Sequence, residues 1–420
     1  MGRLRRPSWK PVGAVAVDWR LLADAPDFRR LWSGLALSIL GRQFTLVAVS
    51  LQVFTVTHSS LAVGLVGLVQ IGPLVVVGLW GGTLADTHDR RSLIMISQLL
   101  MALTSAALAV GAIGLQAPLW LIYLLTACTA GLLGIELPAR QAVIPRLVPR
   151  QRLASGISLY QVVSQFAMVA GLAAAGLVIA TLGLPAAYAI DALAFCGGVA
   201  LVSRMRRLPP EPNDGRGGWQ ASLDGIRYAL HRPVVMALMV ADLDAMVFGL
   251  PRAVFPVLAV TVFRVGPSGL GLLYAAPAAG ALLGSLFTGW VLLITRPGRV
   301  VIWSVGAWGA AIIVFGLMHS FAWALLFLAI GGTADMISAV FRHTVLQLSV
   351  TDAWRGRVSS LNAIPINVGP RLGDVEAGAV AAITSPQIAV LTGGAACIIG
   401  IAVLAFLVPS LRRYHLEQEP

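Results

Sequence analysis

The chain alternates long apolar stretches with short polar connections, and this rhythm predicts twelve spanning segments. They lie at 29–57, 62–85, 91–114, 118–138, 152–181, 185–204, 233–262, 268–293, 299–318, 321–341, 356–383 and 387–410. Stretches of about 18 or more apolar residues suffice to cross roughly 30 Å of hydrocarbon at about 1.5 Å per residue. They are too long for barrel strands and lack period-two alternation, so helices are expected. The one long polar break is Leu208 to Arg232, LPPEPNDGRGGWQASLDGIRYALHR. Its Pro/Gly/Asn/Asp-rich start predicts a loop, and Ser222 to Leu230 predicts a short surface helix. The expected fold is an all-α polytopic membrane protein with twelve transmembrane helices in two six-helix repeats. An arm at 1–28, a first half at 29–205, a linker at 206–232, a second half at 233–411 and a tail at 412–420 complete the division.

Repetition supports the two halves. A shift of 202 positions aligns Arg140 with Arg342, Val143 with Val345, Ser158 with Ser360, Leu159 with Leu361, Gly171 with Gly373 and Gly176 with Gly378. Shared hydrophobicity alone does not hold one offset across two consecutive segments, so this reads as an internal repeat.

Composition changes the picture only by naming the solvent. With 58% hydrophobic and 11% charged residues, against about 25% charged in soluble domains, the surroundings are lipid. The formal charge of +12 raises nucleic acid as a partner, but the placement of the charges assigns them to topology instead. One side of the twelve-segment layout carries 26 of the 30 basic residues. The opposite side carries Arg264 alone, while Arg42, Arg252 and Arg371 fall within segments. The positive-inside rule therefore predicts two cytoplasmic termini in a cell (inner or plasma) membrane and an even number of crossings. Cys128, Cys196 and Cys397 lie in apolar segments and predict packing rather than a disulfide framework or a metal site. The arginine-rich arm lacks the apolar core and cleavage site of a signal peptide.

The loop after segment 2 reads GGTLADTHDRR. Gly82, Asp86, Arg90 and Arg91 resemble the best-known signature of the major facilitator superfamily, whose two six-helix halves rock about a midplane site. Thr87 and Asp89 depart from it. The resemblance implies a gate in which Asp86 sits against the N-terminus of segment 11, where free N–H groups and the helix dipole favour an acid. A solvated turn is the plainer reading. Further stretches, PARQAVIPRLVPRQRL, LQLSVTDAWRGRVSSLN, ADLDAMVFGLPRAVFPVLA and LGLLYAAPAAGALLGSLF, resemble the enterobactin exporters and their relatives in the drug and siderophore efflux branch. That likeness runs from about Phe28 to Arg413 and implies export. Segment 5 reads AGLAAAGL, keeping Gly171 and Gly176 but not the proline of the antiporter signature. This weakens any inference of antiport from that motif.

Ionisable groups at membrane depth cost several kcal/mol unless paired or hydrated, so each is a candidate for function. Arg42 and Gln43 lie near the middle of segment 1. Segment 7 carries Asp242 and Asp244, which point in different directions, and Arg252, about 12 Å from Asp244 along one broad face. Pro251 should loosen the helix beside Arg252. In GPRLGDVEAG, Arg371 and Asp374 are spaced to pair, either as an insertion device or for function, while Glu376 points elsewhere. Asp242, Asp244, Asp374 and Glu376 are the candidates for proton coupling. Arg42, Gln43, Arg252, Arg371 and Tyr160 are the candidates for substrate contact. Glu136 is expected to join Asp86 at the gate, with Asp335 a second gate residue near Arg342. Asp191 reads as a packing or interface charge, and Tyr274 as core packing with ligand contact as the alternative.

Three midplane arginines suit an anionic substrate, because guanidinium stays charged and presents a planar fork of donors. The expectation is a monomeric secondary exporter of a small organic molecule, an anionic siderophore, using protons and no cofactor or metal. The rival is a macrolide-type multidrug exporter relying on acids and apolar walls. A membrane enzyme is disfavoured, because all six histidines lie at segment ends, in loops or in the tail, without a triad or metal spacing. No phosphate-binding loop is present to power transport by ATP hydrolysis.

Overall fold

The computed structural model describes residues 18–114, 117–210, 227–286 and 294–414. The proximal N-terminal arm, most of the linker, the end of segment 8 and the last tail residues lie outside them. The described residues form helices and connections, with no strand among them. The principal helices are α1 (Arg20–Asp24), α2 (Pro26–Thr57), α3 (Ser60–Thr87), α4 (Arg90–Ala112), α5 (Leu119–Leu147), α6 (Leu153–Val202) and α7 (Pro233–Phe248). They continue with α8 (Gly266–Leu286), α9 (Pro297–Leu317), α10 (Phe321–Ser349), α11 (Asp352–Ile383), α12 (Pro386–Leu407) and α13 (Pro409–Arg413). Among the described residues, ten helical stretches are long and apolar enough to span a membrane.

Local chemistry explains where the helices begin and break. Proline opens α2, α7, α9, α12 and α13, where its missing N–H would have had no helical acceptor. Ser59 and Ser385 cap α3 and α12 by accepting the amides of Ala62 (3.3 Å) and Ile388 (3.2 Å). α6 contains a break at Gly183, whose φ of 82° is strained for any residue with a Cβ. Gly171 before the break and Asp191 and Ala194 after it all approach the same stretch of α2 near Gly41, so the chain folds back there. Segment 7 ends as a regular helix at Phe248 and resumes as a 3-10 turn at Arg252–Val254, beside Pro251.

Two predicted ends fall short. α5 and α10 run to Leu147 and Ser349, beyond the expected 138 and 341, because backbone hydrogen bonding continues after the apolar side chains stop. Hydropathy marks only the part suited to lipid.

Small residues set the packing. The glycines aligned by the shift of 202 have matching neighbours: a Cβ on Gly171 would meet the Leu40 carbonyl of α2 at 2.8 Å, and one on Gly373 the Val247 carbonyl of α7 at 2.6 Å. Gly176 faces Pro267 and Gly271 of α8, while Gly378 faces Ser60 of α3. Such contacts replace hydrophobic sorting, which lipid does not provide between helices. Most of the described arginines gather at one end, the basic end. There Arg30 donates to the Arg204 carbonyl at 2.8 Å, Arg146 to that of Pro209 at 2.6 Å, and Arg152 meets Asp24 at 2.6 Å.

A Cβ on Gly332 would collide with the Pro277 backbone, whereas one on Gly82 would meet nothing within 4 Å. Gly332→Val is therefore expected to lower the apparent melting temperature of the purified protein by roughly 3–10 °C. Gly82→Ala should leave it within about 2 °C of wild type.

Candidate functional site

A cavity of about 270 Å³ lies between α2, α3, α5 and α8, the turn at Arg252, and α11. Its charged wall consists of Arg42, Arg252, Arg371 and Asp374. Hydroxyl and amide groups of Thr45, Ser50, Gln70, Thr126, Thr129 and Tyr274 complete its polar surface. Three guanidinium groups against one carboxylate leave a formal excess of two positive charges in a lipid-embedded chamber.

Each guanidinium is held differently. Arg252 meets Asp374 through two bonds, Nη2 to Oδ2 at 2.9 Å and Nε to Oδ1 at 3.4 Å. The Tyr274 hydroxyl donates to the Arg252 carbonyl at 3.2 Å, satisfying backbone that the helix break releases. Arg371 donates to Gln70 Oε1 at 3.1 Å and to the Asn367 carbonyl. Arg42 makes no hydrogen bond to any described residue and lines the chamber, with the carboxylates of Glu136 and Asp191 close enough to act on its charge. The far end, opposite the basic end, is shut. Gly64 and Gly67 of α3 pack on the backbone of Asp374 and Arg371, and Gly176 packs on Gly271.

The transmembrane secretion effector family, a branch of the major facilitator superfamily, matches residues 22–419. The chain belongs to this family. It is a multi-pass membrane transport protein. Its sequence is 27% identical over 413 residues to the enterobactin exporter EntS of Citrobacter koseri, covering 98% of this chain and 97% of the relative. EntS of Escherichia coli O1:K1 is 27% identical over 396 residues, covering 94% and 95%. The fold is shared with the nucleoside transporter NupG, at TM-score 0.72 and 14% identity over 92% of this chain and 99% of that one. It is also shared with a bacterial homologue of the lysosomal transporter Spinster, at 0.71 and 15% over 92% and 96%.

Within this transporter the charges expected from sequence separate into two groups. Arg42, Arg252, Arg371 and Asp374 come together on the cavity. The expected Arg371–Asp374 pair is replaced by Arg252–Asp374, because the turn at Pro251 swings Arg252 toward α11. Asp242 instead meets Arg342 at 2.7 Å, which also lies 3.5 Å from Asp335 and donates to Ser338 at 2.7 Å. Asp244 lies against Gly400 of α12, outside the cavity wall, since the helix break removes the shared face with Arg252. Glu376 likewise lies outside the cavity wall. Gln43 turns back to the Ile39 carbonyl at 3.1 Å, and Tyr160 lies near Arg140.

The gate residues also redistribute. Glu136 is fully buried with Arg140 and accepts from Gln98 at 2.8 Å, rather than joining Asp86. Arg90 bonds the Ala85 carbonyl at 3.1 Å and Arg91 that of Ser203. Asp89, the departure from the signature, caps α4 and accepts the Leu208 amide at 3.0 Å. Gly81 rather than Gly82 makes the close approach, packing on Gly134 and Ile135. Asp191 accepts from Thr45 at 2.5 Å and Ser105 at 2.8 Å. Gln70 was not a candidate from sequence, though it is the one amide in an otherwise apolar stretch of α3 and could have been found by that contrast.

Removing one partner of a buried ion pair leaves the other charge uncompensated, at about 3–5 kcal/mol. Glu136→Leu should destabilise the protein by about that amount, and the double variant Glu136→Leu with Arg140→Met should recover most of it. Thermal unfolding in one detergent checks both.

Proposed function

We propose that this transporter exports a small organic anion, of the catecholate or carboxylate siderophore class, by alternating access of two six-helix halves. The observation that carries the reading is the cavity wall of three arginines and one aspartate. Positive charge on the wall of a chamber inside lipid is costly, even with Glu136 and Asp191 near Arg42, and a bound anion offsets it. The enterobactin exporters among its relatives act on a molecule of that class.

The halves in this reading comprise twelve crossings: α6 counts as two, divided at Gly183, and the charged α11 adds one to the ten apolar spans. The matching environments of Gly171 and Gly373 support the repeat. The polar stretch at 206–232 then joins the halves, and the basic end faces the cytoplasm in accordance with the positive-inside rule. The cavity of about 270 Å³ lies just below the range of about 300–1,000 Å³ for drug-sized ligands. It admits one aromatic acid group, and a larger substrate extends into the cleft as the halves part at the basic end.

Proton linkage in this reading runs through Asp374 rather than the segment 7 acids, because Asp374 alone among them faces the cavity. Neutralising Asp374 frees Arg252 and raises the excess charge from two to three. Proton and anion binding therefore reinforce each other instead of competing. For a substrate that carries more negative charge than the protons bound with it, the membrane potential, negative inside, supplies about 2.3 kcal/mol per net outward-moving charge per 100 mV.

Binding of 2,3-dihydroxybenzoate, whose carboxylate stays ionised from pH 6 to 8, tests the reading. Arg42→Ala, Arg252→Ala and Arg371→Ala are each expected to weaken it by about tenfold or more. Asp374→Asn, which removes the one carboxylate of the wall, should bind 2,3-dihydroxybenzoate more tightly than wild type. Unchanged affinity in all three arginine variants, or a preference for a cationic macrolide, would overturn the anion assignment.

A further inference from the structure

The far-end contact between α3 and α11 is a seam of backbone approaches. A Cβ on Gly378 would meet the Ser60 carbonyl at 2.6 Å and the Leu61 Cα at 3.3 Å, and one on Gly67 would meet the Arg371 carbonyl at 2.8 Å. The next residue along this stripe toward the basic end is Gln70, one helical turn past Gly67. Its Oε1 accepts from Arg371 Nε at 3.1 Å. Beyond it the helices part: Gly78, further along the same face of α3, has only Gly134 of α5 and no atom of α11 within 4 Å of a Cβ, and Ile366 of α11 is exposed. Pro73 in α3 and Pro370 in α11 lie where the separation begins. The Gln70–Arg371 bond is therefore the innermost rung of the seam, and its donor is also part of the cavity wall.

We infer that Gln70 is a positioning residue that makes the far-end seam sensitive to the bound anion. In the empty cavity its neutral amide holds Arg371 across the interface. An anion bound in the cavity forms a charge-assisted bond with Arg371, which is stronger than an amide bond. The guanidinium turns from Gln70 to the ligand, the rung breaks, and the seam is free to open toward the far side. The residue type matters to this exchange. A carboxylate at position 70 would bind Arg371 about as strongly as the ligand does and hold the seam shut, while an apolar side chain of equal size would leave no rung. Gln70 thus links occupancy of the cavity to the direction in which it opens. The link to ligand rests on the anion reading above, whereas the rung itself does not.

The test places a single cysteine at Leu61, within the seam, after Cys128, Cys196 and Cys397 are replaced by serine or alanine. Its rate of reaction with a membrane-impermeant maleimide is measured from the far side in oriented proteoliposomes, with and without 2,3-dihydroxybenzoate. Gln70→Met and Gln70→Glu preserve side-chain volume, and monodisperse elution with a melting temperature near that of the parent establishes folding. In the parent, ligand should speed labelling. Without ligand, Gln70→Met should label about three- to tenfold faster than the parent. Gln70→Glu should label more slowly and lose the response to ligand. Ligand-free rates equal to the parent in both variants would overturn the rung. Faster labelling in both would also overturn it, attributing the effect to packing. If the parent binds the anion but labelling does not rise, the link to ligand is lost while the anion reading stands. If the parent does not bind the anion, that reading fails, and the ligand-free comparison still decides whether Gln70 holds the seam.

Discussion

A charge inside a bilayer must find a partner, and this constraint organises the transporter. Arg140 has Glu136 beneath it, and Arg342 has Asp242 with Asp335 nearby. Asp191 is bound by Thr45 and Ser105. These buried groups are matched within their own part of the bundle, so they permit polar side chains to exist in the protein interior without requiring a ligand. The central cavity departs from the pattern. Arg252 has Asp374, while Arg371 donates only to an amide and a carbonyl and Arg42 has no carboxylate bonded to it, with Glu136 and Asp191 nearby. Arg42 and Arg371, cations with no bonded carboxylate, both lie on the cavity wall, and the functional reading follows from that placement.

The same glycine contacts that pack the helices determine what the cavity can do. Gly64 and Gly67 let α11 approach α3 closely enough for Arg371 to reach both the chamber and Gln70. At the basic end α2, α4 and α5 are laced by Arg30, Arg91 and Arg146 to carbonyls at residues 203–209. A bundle braced within its parts and joined between them through small-residue seams is suited to rigid-body motion.

The helices were legible because lipid selects for length and apolarity, and the arginines of the cavity were legible because charge in such a segment is conspicuous. Partnerships were less so. Spacing within one helix predicted Arg371 with Asp374, but the break at Pro251 lets a residue 122 positions away in sequence take that acid. Asp242 looked like a cavity acid until the tertiary fold placed it against Arg342. Gly82 matched a signature by position, yet the close packing falls to Gly81, a matter of helix rotation that spacing alone leaves open. Gln70 carries no charge and was passed over, although its isolation in α3 was visible in the sequence.

The central claim is that the excess positive charge of the cavity selects the ligand, and removing charge from the ligand rather than the protein tests it most directly. Isothermal titration of the wild-type transporter would compare 2,3-dihydroxybenzoate with its methyl ester, which keeps the ring and hydroxyls but not the carboxylate. The account predicts that the acid binds about 10- to 100-fold more tightly than the ester. Equal affinity, or tighter binding of the ester, would contradict it.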